Sequence, residues 1–175
     1  MKVINDTQKT YNTVIILDYG SQYSKLIARR VRECNVYSEI INPHVEKSEL
    51  EHLNIKGIIL SGGPSDINNS SSPKIPEWLY DFDVPILGIC YGLQAIIYND
   101  GGIVSSDSNS EYGNAEINLI SDSDPLFQNC DQNFNVWMSH GDSVSEIPKY
   151  YELLASTDSC KYAAVKFNNI YGIQF

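Results

Sequence analysis

The stretch that decides the fold runs Val84-Pro85-Ile86-Leu87-Gly88-Ile89-Cys90-Tyr91-Gly92-Leu93-Gln94. Its apolar first half has the length of a buried strand, ends abruptly at Cys90 and is followed by a helix-patterned segment. A strand-to-helix turn of this kind is a nucleophile elbow, which holds a reactive side chain above the edge of a sheet. A thiol at this point lies at a helix N-terminus, whose partial positive charge favours the thiolate, the attacking form. The stretch therefore predicts a cysteine nucleophile.

Strand and helix patterns alternate through the first hundred residues. The sequence predicts strands at 13–18, 35–41, 56–61 and 84–89, with helices starting at Ser21 and over 45–53 and 91–100. This order is typical of a doubly wound α/β fold with parallel strands. After residue 102 the pattern changes to short strands separated by turns, which indicates mixed or antiparallel additions to the same sheet. These strands are predicted at 103–104, 116–120, 135–138, 152–156, 163–167 and 170–175.

Length and charge limit the kind of protein. The 175 residues suit one domain over 13–175, preceded by a polar extension over 1–12. A net charge of −10 argues against nucleic acid and anionic membrane surfaces as partners. The first residues contain no apolar core of a signal peptide, and no apolar run reaches the length that spans a bilayer. We therefore expect a cytoplasmic protein.

The four cysteines do not form a metal or dithiol pattern. None of them lies in a C-x-x-C pair, so we expect no zinc site and no bound metal. Outside the elbow, the ordinary role of a cysteine is that of a small buried hydrophobe. We expect this role for Cys34, Cys130 and Cys160.

Three polar or glycine-rich segments follow predicted strands, where α/β proteins bind ligands: 18–23, 61–65 and 90–94. A thiolate that attacks a carbonyl needs two N–H groups for the oxyanion. The residue after the nucleophile, Tyr91, supplies one, and Gly63 on the neighbouring loop is the candidate for the second. Taken alone, Gly62-Gly63-Pro64 is more typical of a plain surface turn.

The nucleophile also needs a base, normally a histidine oriented by a carboxylate. His44 and His52 lie in polar surroundings typical of solvated surface residues. His140 lies in the Gly-containing turn Trp137-Met138-Ser139-His140-Gly141-Asp142. The residues alone therefore nominate His140 as the base, with a hydrogen-bonded turn histidine as an equal alternative.

Together these segments resemble the class I (triad) glutamine amidotransferase family and, within it, the glutaminase domain of GMP synthases. The resemblance runs from about residue 13 to Phe175 and rests on five segments in family order. It implies a flavodoxin-like open mixed sheet with a parallel core, antiparallel additions and helices on both faces. The matching segments are 18–33, 60–64, 88–94, 111–113 and 136–142.

The resemblance also implies roles for individual residues. Cys90 would attack the side-chain amide of glutamine and form a γ-glutamyl thioester, while Gly63 and Tyr91 would bind the oxyanion. Gln94 and the Ser139-His140-Gly141-Asp142 turn would hold the substrate. This domain would need no cofactor. Its ammonia would pass to an ATP-pyrophosphatase domain of the same full-length chain, which uses ATP and Mg to convert xanthosine monophosphate (XMP) to GMP.

In the family the base belongs to a His-Pro-Glu segment directly after the strand that here reads Tyr171-Gly172-Ile173-Gln174-Phe175. The resemblance therefore assigns the role of base to that histidine and not to His140. The sequence stops at Phe175 and does not include it. We expect a truncated amidotransferase domain that is nearly inactive alone. Two alternatives remain. One is a class I amidotransferase for another acceptor, or a cysteine hydrolase of similar fold; the other is a non-catalytic interaction domain.

Overall fold

The computed structural model describes residues 11–106, 110–121 and 123–175. The helices are α1 (Ser24–Glu33) and α2 (Tyr91–Asn99). The strands are β1 (Asn12–Leu17), β2 (Tyr37–Ile41), β3 (Asn54–Leu60), β4 (Ile86–Ile89), β5 (Ile103–Ser105), β6 (Glu111–Leu119), β7 (Asn133–His140), β8 (Ser143–Glu146), β9 (Glu152–Ser156), β10 (Ala164–Phe167) and β11 (Ile170–Ile173).

One nine-stranded sheet organises the molecule. Its strand order is β2-β1-β3-β4-β11-β10-β9-β6-β7, and β5 pairs with β8 in a separate two-stranded sheet. The pairs β1–β2, β1–β3, β3–β4 and β4–β11 are parallel. From β11 outward, every pair is antiparallel. The mixed sheet with a parallel core and antiparallel additions is therefore confirmed.

The two helices lie on opposite faces of the parallel core, as predicted. The Ser38 hydroxyl donates to the carbonyl of Ala28 at 3.0 Å, which places α1 on the face of Ser38 and of its partner Val14. The face that carries Leu17 and Leu60 is the opposite one, because residues 14 and 17 of a strand point to different sides. Gly92 of α2 packs on Leu60 and therefore covers this second face.

Two apolar clusters fill the space around the sheet. The larger joins the parallel strands to α2, to β5 and β8, and to short 3₁₀ turns at Lys47–Leu50 and Glu77–Asp81. The smaller lies under the antiparallel half, around Ile117, Met138 and Leu154. Both clusters pack against one continuous sheet, which runs through the parallel and the antiparallel half.

Some local predictions were wrong. The expected helix at 45–53 is only the 3₁₀ turn Lys47–Leu50, and β8 was not predicted. Ser21 does not cap α1 directly; its hydroxyl accepts from the amide of Tyr23, and Asp18 accepts from the Ser24 hydroxyl. Cys34 and Cys130 are exposed, whereas Cys160 is buried as expected. Most of the predicted N-terminal extension, residues 1–10, lies outside the described residues.

No helix in the described part of the chain is both long enough and apolar enough to pass through a membrane.

Candidate active site

Cys90 occupies a strained turn between β4 and α2. Its backbone dihedrals are φ 51° and ψ −106°. A positive φ is uncommon for a residue with a β-carbon, and such strain concentrates at functional sites. A hydrogen bond to the neighbouring strand β11 stabilises the turn: the Cys90 amide donates to the carbonyl of Ile173 at 2.8 Å. The predicted strand-to-helix turn is therefore present, and it places the Cys90 thiol at the carboxyl end of β4.

Two glycines allow α2 to start directly above the sheet. A β-carbon on Gly88 would lie 2.7 Å from the backbone of Gly92, and a β-carbon on Gly92 would lie 2.3 Å from the Leu60 carbonyl oxygen. Real β-carbons essentially never come this close to backbone atoms. The spacing of these glycines around Cys90 therefore lets the helix N-terminus approach both β3 and β4.

The loop after β3 is packed against the elbow. The Ser61 hydroxyl accepts from the Tyr19 amide at 3.0 Å and donates to the Gly62 carbonyl at 2.8 Å. A β-carbon on Gly62 would lie 3.7 Å from both the Cys90 β-carbon and the Ser21 hydroxyl. The three segments predicted at strand ends therefore meet at one place.

The N–H groups of Tyr91 and Gly63, which the sequence predicts for an oxyanion, have no backbone acceptor among the described residues. Tyr91 is the first residue of α2, and first-turn N–H groups have no acceptor within their helix. The Gly63 amide donates no backbone hydrogen bond among the residues that the structure describes. Gly63 also has to be a glycine, because a β-carbon there would lie 2.4 Å from the Tyr19 carbonyl oxygen.

Gln94 reaches the predicted substrate turn. Its side-chain Nε2 donates to the Asp142 carbonyl at 2.8 Å, and Gln94 is only 3% exposed. Of the predicted turn, Ser139 and His140 instead end β7, and only Gly141 and Asp142 lie between β7 and β8. Ser139 and Gly141 are exposed, while His140 is buried. The structure thus joins Gln94 to Asp142 and places His140 in the interior.

Burial dominates the electrostatics of Cys90. Its thiol pKa is raised, first by burial; the Tyr91 N–H and the Gln174 side chain partly offset this by hydrogen bonding, and the Asp142 carboxylate raises it further. The helix N-terminus does favour the thiolate, as the sequence predicts. Among the described residues, however, it does not outweigh desolvation.

His140 is buried at the end of β7, beside Glu111. Its side chain is 1% exposed and its Nε2 lies 3.6 Å from Glu111 Oε2. Neither ring nitrogen has a hydrogen-bond partner among the described residues. Burial lowers the pKa of His140, and Glu111 only partly opposes this. The nomination of His140 as the base is therefore not supported by the geometry.

No group of three or more potential metal-ligating side chains occurs within residues 11–106, 110–121 and 123–175.

Gln174 is the site residue that sequence reasoning missed. Its Nε2 donates to Cys90 Sγ at 3.4 Å, and Gln174 is 1% exposed. Gln174 directly follows β11, and Cys90 directly follows β4. Because these two strands are parallel neighbours, the two residues lie side by side at the same edge of the sheet. The only sequence signal was a polar residue at the end of an apolar strand.

The chain belongs to the class I glutamine amidotransferase family, whose model matches residues 15–175. It is homologous to GMP synthases (glutamine-hydrolysing). It is 47% identical over 170 residues to that of Brachyspira hyodysenteriae and 45% identical over 177 residues to that of Thermobifida fusca. These alignments cover 96% and 100% of this chain and 33% of each relative. The chain therefore spans about a third of the length of the curated relatives it matches.

Solved structures agree with this family. A Thermoplasma acidophilum protein, described as a candidate GMP synthase component, superimposes with a TM-score of 0.83 at 27% identity, covering 94% of this chain and 83% of that one. A glutamine amidotransferase of Thermotoga maritima superimposes with a TM-score of 0.71 at 20% identity, covering 94% of this chain and 75% of that one. The second likeness supports the fold alone.

Proposed function

We propose that this chain is the glutamine-hydrolysing part of a GMP synthase and that Cys90 is its nucleophile. The observation that carries the proposal is the strained elbow, which presents Cys90 beside Gly62 and beneath the N-terminus of α2. The 43–47% identity to GMP synthases over nearly the whole chain supports this acceptor over others.

The chemistry is acyl transfer through a thioester. Cys90 Sγ attacks the side-chain amide carbon of glutamine, and the N–H groups of Gly63 and Tyr91 stabilise the oxyanion. The carbon–nitrogen bond then breaks, the nitrogen takes up a proton and ammonia leaves. Water attacks the thioester carbon, the carbon–sulfur bond breaks, and glutamate leaves as the thiol is restored.

Gln94 and the 139–142 turn hold the glutamine in this proposal. The hydrogen bond from Gln94 to the Asp142 carbonyl indicates that Gln94 also sets the shape of the turn. Ser139 and Gly141 are exposed residues and are therefore accessible to a substrate. The side chain of His140 supports the turn from inside and does not contact the substrate.

The general base and the use of ammonia belong, in this proposal, to other parts of a longer protein. This chain matches only about a third of the length of its relatives. The base is the histidine of a His-Pro-Glu segment, which residues 1–175 do not contain. The ammonia is consumed by an ATP- and Mg-dependent domain of the same protein, which aminates XMP to GMP in the cytoplasm. No residue of this chain is assigned to ATP, Mg or XMP.

The test is Cys90→Ala in the complete protein. We expect glutamine-dependent amination of XMP to be lost and ammonia-dependent amination to be retained, because only the ammonia source is removed. Cys34→Ala is the matched control, since this thiol is exposed and lies at the far end of α1. Equal loss of both activities would assign Cys90 a structural role, and amination of another acceptor would overturn GMP synthesis.

The polypeptide of residues 1–175 gives a second test. Loss of a general base removes about 10²–10⁴-fold of rate, so we expect glutamine turnover to fall by at least that much relative to the complete protein. Vigorous glutaminase activity of residues 1–175 would show that another group serves as the base.

A further inference from the structure

Two buried glutamine side chains connect the substrate turn to the nucleophile. Gln94 Nε2 donates to the Asp142 carbonyl at 2.8 Å and to Gln174 Oε1 at 3.4 Å. Gln174 Nε2 donates in turn to Cys90 Sγ at 3.4 Å. Both residues are at most 3% exposed, so solvent does not compete for these bonds. We call this series of hydrogen bonds, from Asp142 through Gln94 and Gln174 to Cys90, the amide relay.

The direction of the relay follows from its fixed end. The Asp142 carbonyl can only accept, so it fixes the NH₂ group of Gln94 toward itself. The same NH₂ group faces Gln174, which must therefore present its oxygen to Gln94. This orientation leaves the NH₂ group of Gln174 facing Cys90, because the two ends of an amide cannot exchange without breaking the other bonds. The thiol therefore receives a donor whose orientation is set by the Asp142 carbonyl at the other end of the relay.

We propose that Gln174 is a positioning residue that holds Cys90 Sγ in the attacking orientation and supports its thiolate, and that Gln94 keeps Gln174 in the donating orientation. The backbone reinforces this arrangement. The Cys90 amide donates to the Ile173 carbonyl, and the Gln174 amide donates to the Ala163 carbonyl at 2.9 Å. Gln174 is thus anchored both to the elbow and to the adjoining strand connection.

The groups around Cys90 make this donor important. The Asp142 carboxylate, from the β7–β8 turn, opposes ionisation of the thiol, and Cys160, from the β9–β10 connection, interacts with it electrostatically. The loop after β3 and the segment after β1 contribute Gly62 and the Ser21 hydroxyl at this point, neither of which carries charge. Besides the Tyr91 N–H, Gln174 is the group that favours the thiolate.

The test measures alkylation of Cys90 by iodoacetamide from pH 6.5 to 10.5, resolved peptide by peptide. Gln174→Met keeps the size of the side chain and removes the donor. We expect the midpoint of the Cys90 profile to move up by about one pH unit, which slows alkylation roughly tenfold at neutral pH. The exposed Cys34 in the same molecule is the internal control and should keep its profile.

Two further variants guard against a folding defect, which circular dichroism and thermal unfolding would detect. Gln174→Glu keeps the shape and places a carboxylate beside the sulfur, so it should move the midpoint further up than Gln174→Met. Gln94→Met removes the donors that orient Gln174 and should shift the midpoint in the same direction by a smaller amount.

The result that overturns the proposal is an unchanged midpoint in any folded Gln174 variant. A merely structural role would change the rate of Cys90 labelling at every pH and leave the midpoint in place. The inference concerns the site of the proposed glutaminase, but its test follows the thiol and not glutamine turnover. Failure of one therefore leaves the other standing.

Discussion

Gly92, in the first turn of α2, packs directly on the carbonyl of Leu60 in β3. A β-carbon at Gly92 would lie 2.3 Å from that oxygen and 2.7 Å from the Leu60 β-carbon. Since the obstacle is backbone on a central strand, it cannot move aside. We predict that Gly92→Ala lowers the free energy of unfolding by about 3 kcal/mol, measured by urea denaturation.

Gly57→Ala is the matched control for this prediction. Gly57 lies in the same strand as Leu60 and is also buried, but its β-carbon would meet Val14 and the Pro85 carbonyl at 3.5 and 3.7 Å, which is ordinary contact. We expect a change smaller than about 1 kcal/mol, of either sign, since a glycine within a strand is itself unfavourable. Equal losses from the two substitutions would contradict the close approach of α2 to β3.

The buried His140 makes stability depend on pH. Burial lowers its pKa below the usual 6.5, so the unfolded chain binds a proton where the folded chain does not. Its contribution to stability is therefore complete above pH 6.5 and is lost as the pH falls, by at most about 1.4 kcal/mol per pH unit. The free energy of unfolding, measured between pH 7.5 and 5, should fall less steeply in His140→Gln than in the unsubstituted chain.

The control for this slope is His44→Gln, because His44 is exposed in the loop after β2. This substitution should leave the pH dependence unchanged. If His140→Gln and the unsubstituted chain gave parallel profiles, the imidazole would not be held neutral in the fold.

The four thiols should react in a definite order with a disulfide reagent at pH 8. Cys34 and Cys130 are exposed and should react first. Cys90 should be slower, because burial raises its pKa and each unit of elevation removes about tenfold of thiolate. Cys160 is buried with a pKa raised to about 12, so it should react only after denaturation. Stopped-flow absorbance with the four Cys→Ala variants assigns each phase.

A Cys90 that reacted faster than Cys34 would contradict this order. It would mean that a group outside the described residues stabilises the thiolate.

Asp124 connects the 3₁₀ turn at Pro125–Phe127 to Lys166 of β10. Its Oδ1 accepts from the Leu126 amide at 2.9 Å, and its Oδ2 lies 2.6 Å from Lys166 Nζ. The carboxylate is 5% exposed, and its loss leaves the half-buried Leu126 amide without its acceptor. We predict that Asp124→Ala lowers the free energy of unfolding by about 2 kcal/mol, measured by urea denaturation.

Lys166→Met separates the two contacts of Asp124. This variant removes the ion pair and keeps the hydrogen bond to Leu126, so it should destabilise the chain less than Asp124→Ala. The opposite order would show that the ion pair, and not the cap, matters at this position.

The parallel half of the fold could be predicted because its elements are local. Each of its strands is a short apolar run bounded by turn residues, and the elbow at Cys90 is marked by small residues on both sides. The antiparallel half was predicted in its general character but not in its pairing, because pairing depends on contacts between distant residues. The start of α1 was less reliable, since the helix begins at Ser24 and not at Ser21.

The site divides in the same way. Cys90 and Tyr91 lie in a segment whose local spacing already indicates a nucleophile elbow. Gly63 became a candidate only because it follows a neighbouring strand, and the structure brings the two segments together. His140 had the right residue type for a base, but its position at the end of β7 turns its ring toward Glu111. Gln174 carried almost no local signal, since a single polar residue after an apolar strand is common.

By itself, the sequence determined the strand-to-helix turn at Cys90, the glycines around it and the parallel core, because these depend on spacing within a few residues. Only the tertiary structure decided what surrounds the thiol. The parallel pairing of β11 with β4 carries Gln174 to Cys90, 84 positions away along the chain. Burial within that assembly raises the pKa of Cys90, because desolvation depends on the whole packed structure and not on any local stretch.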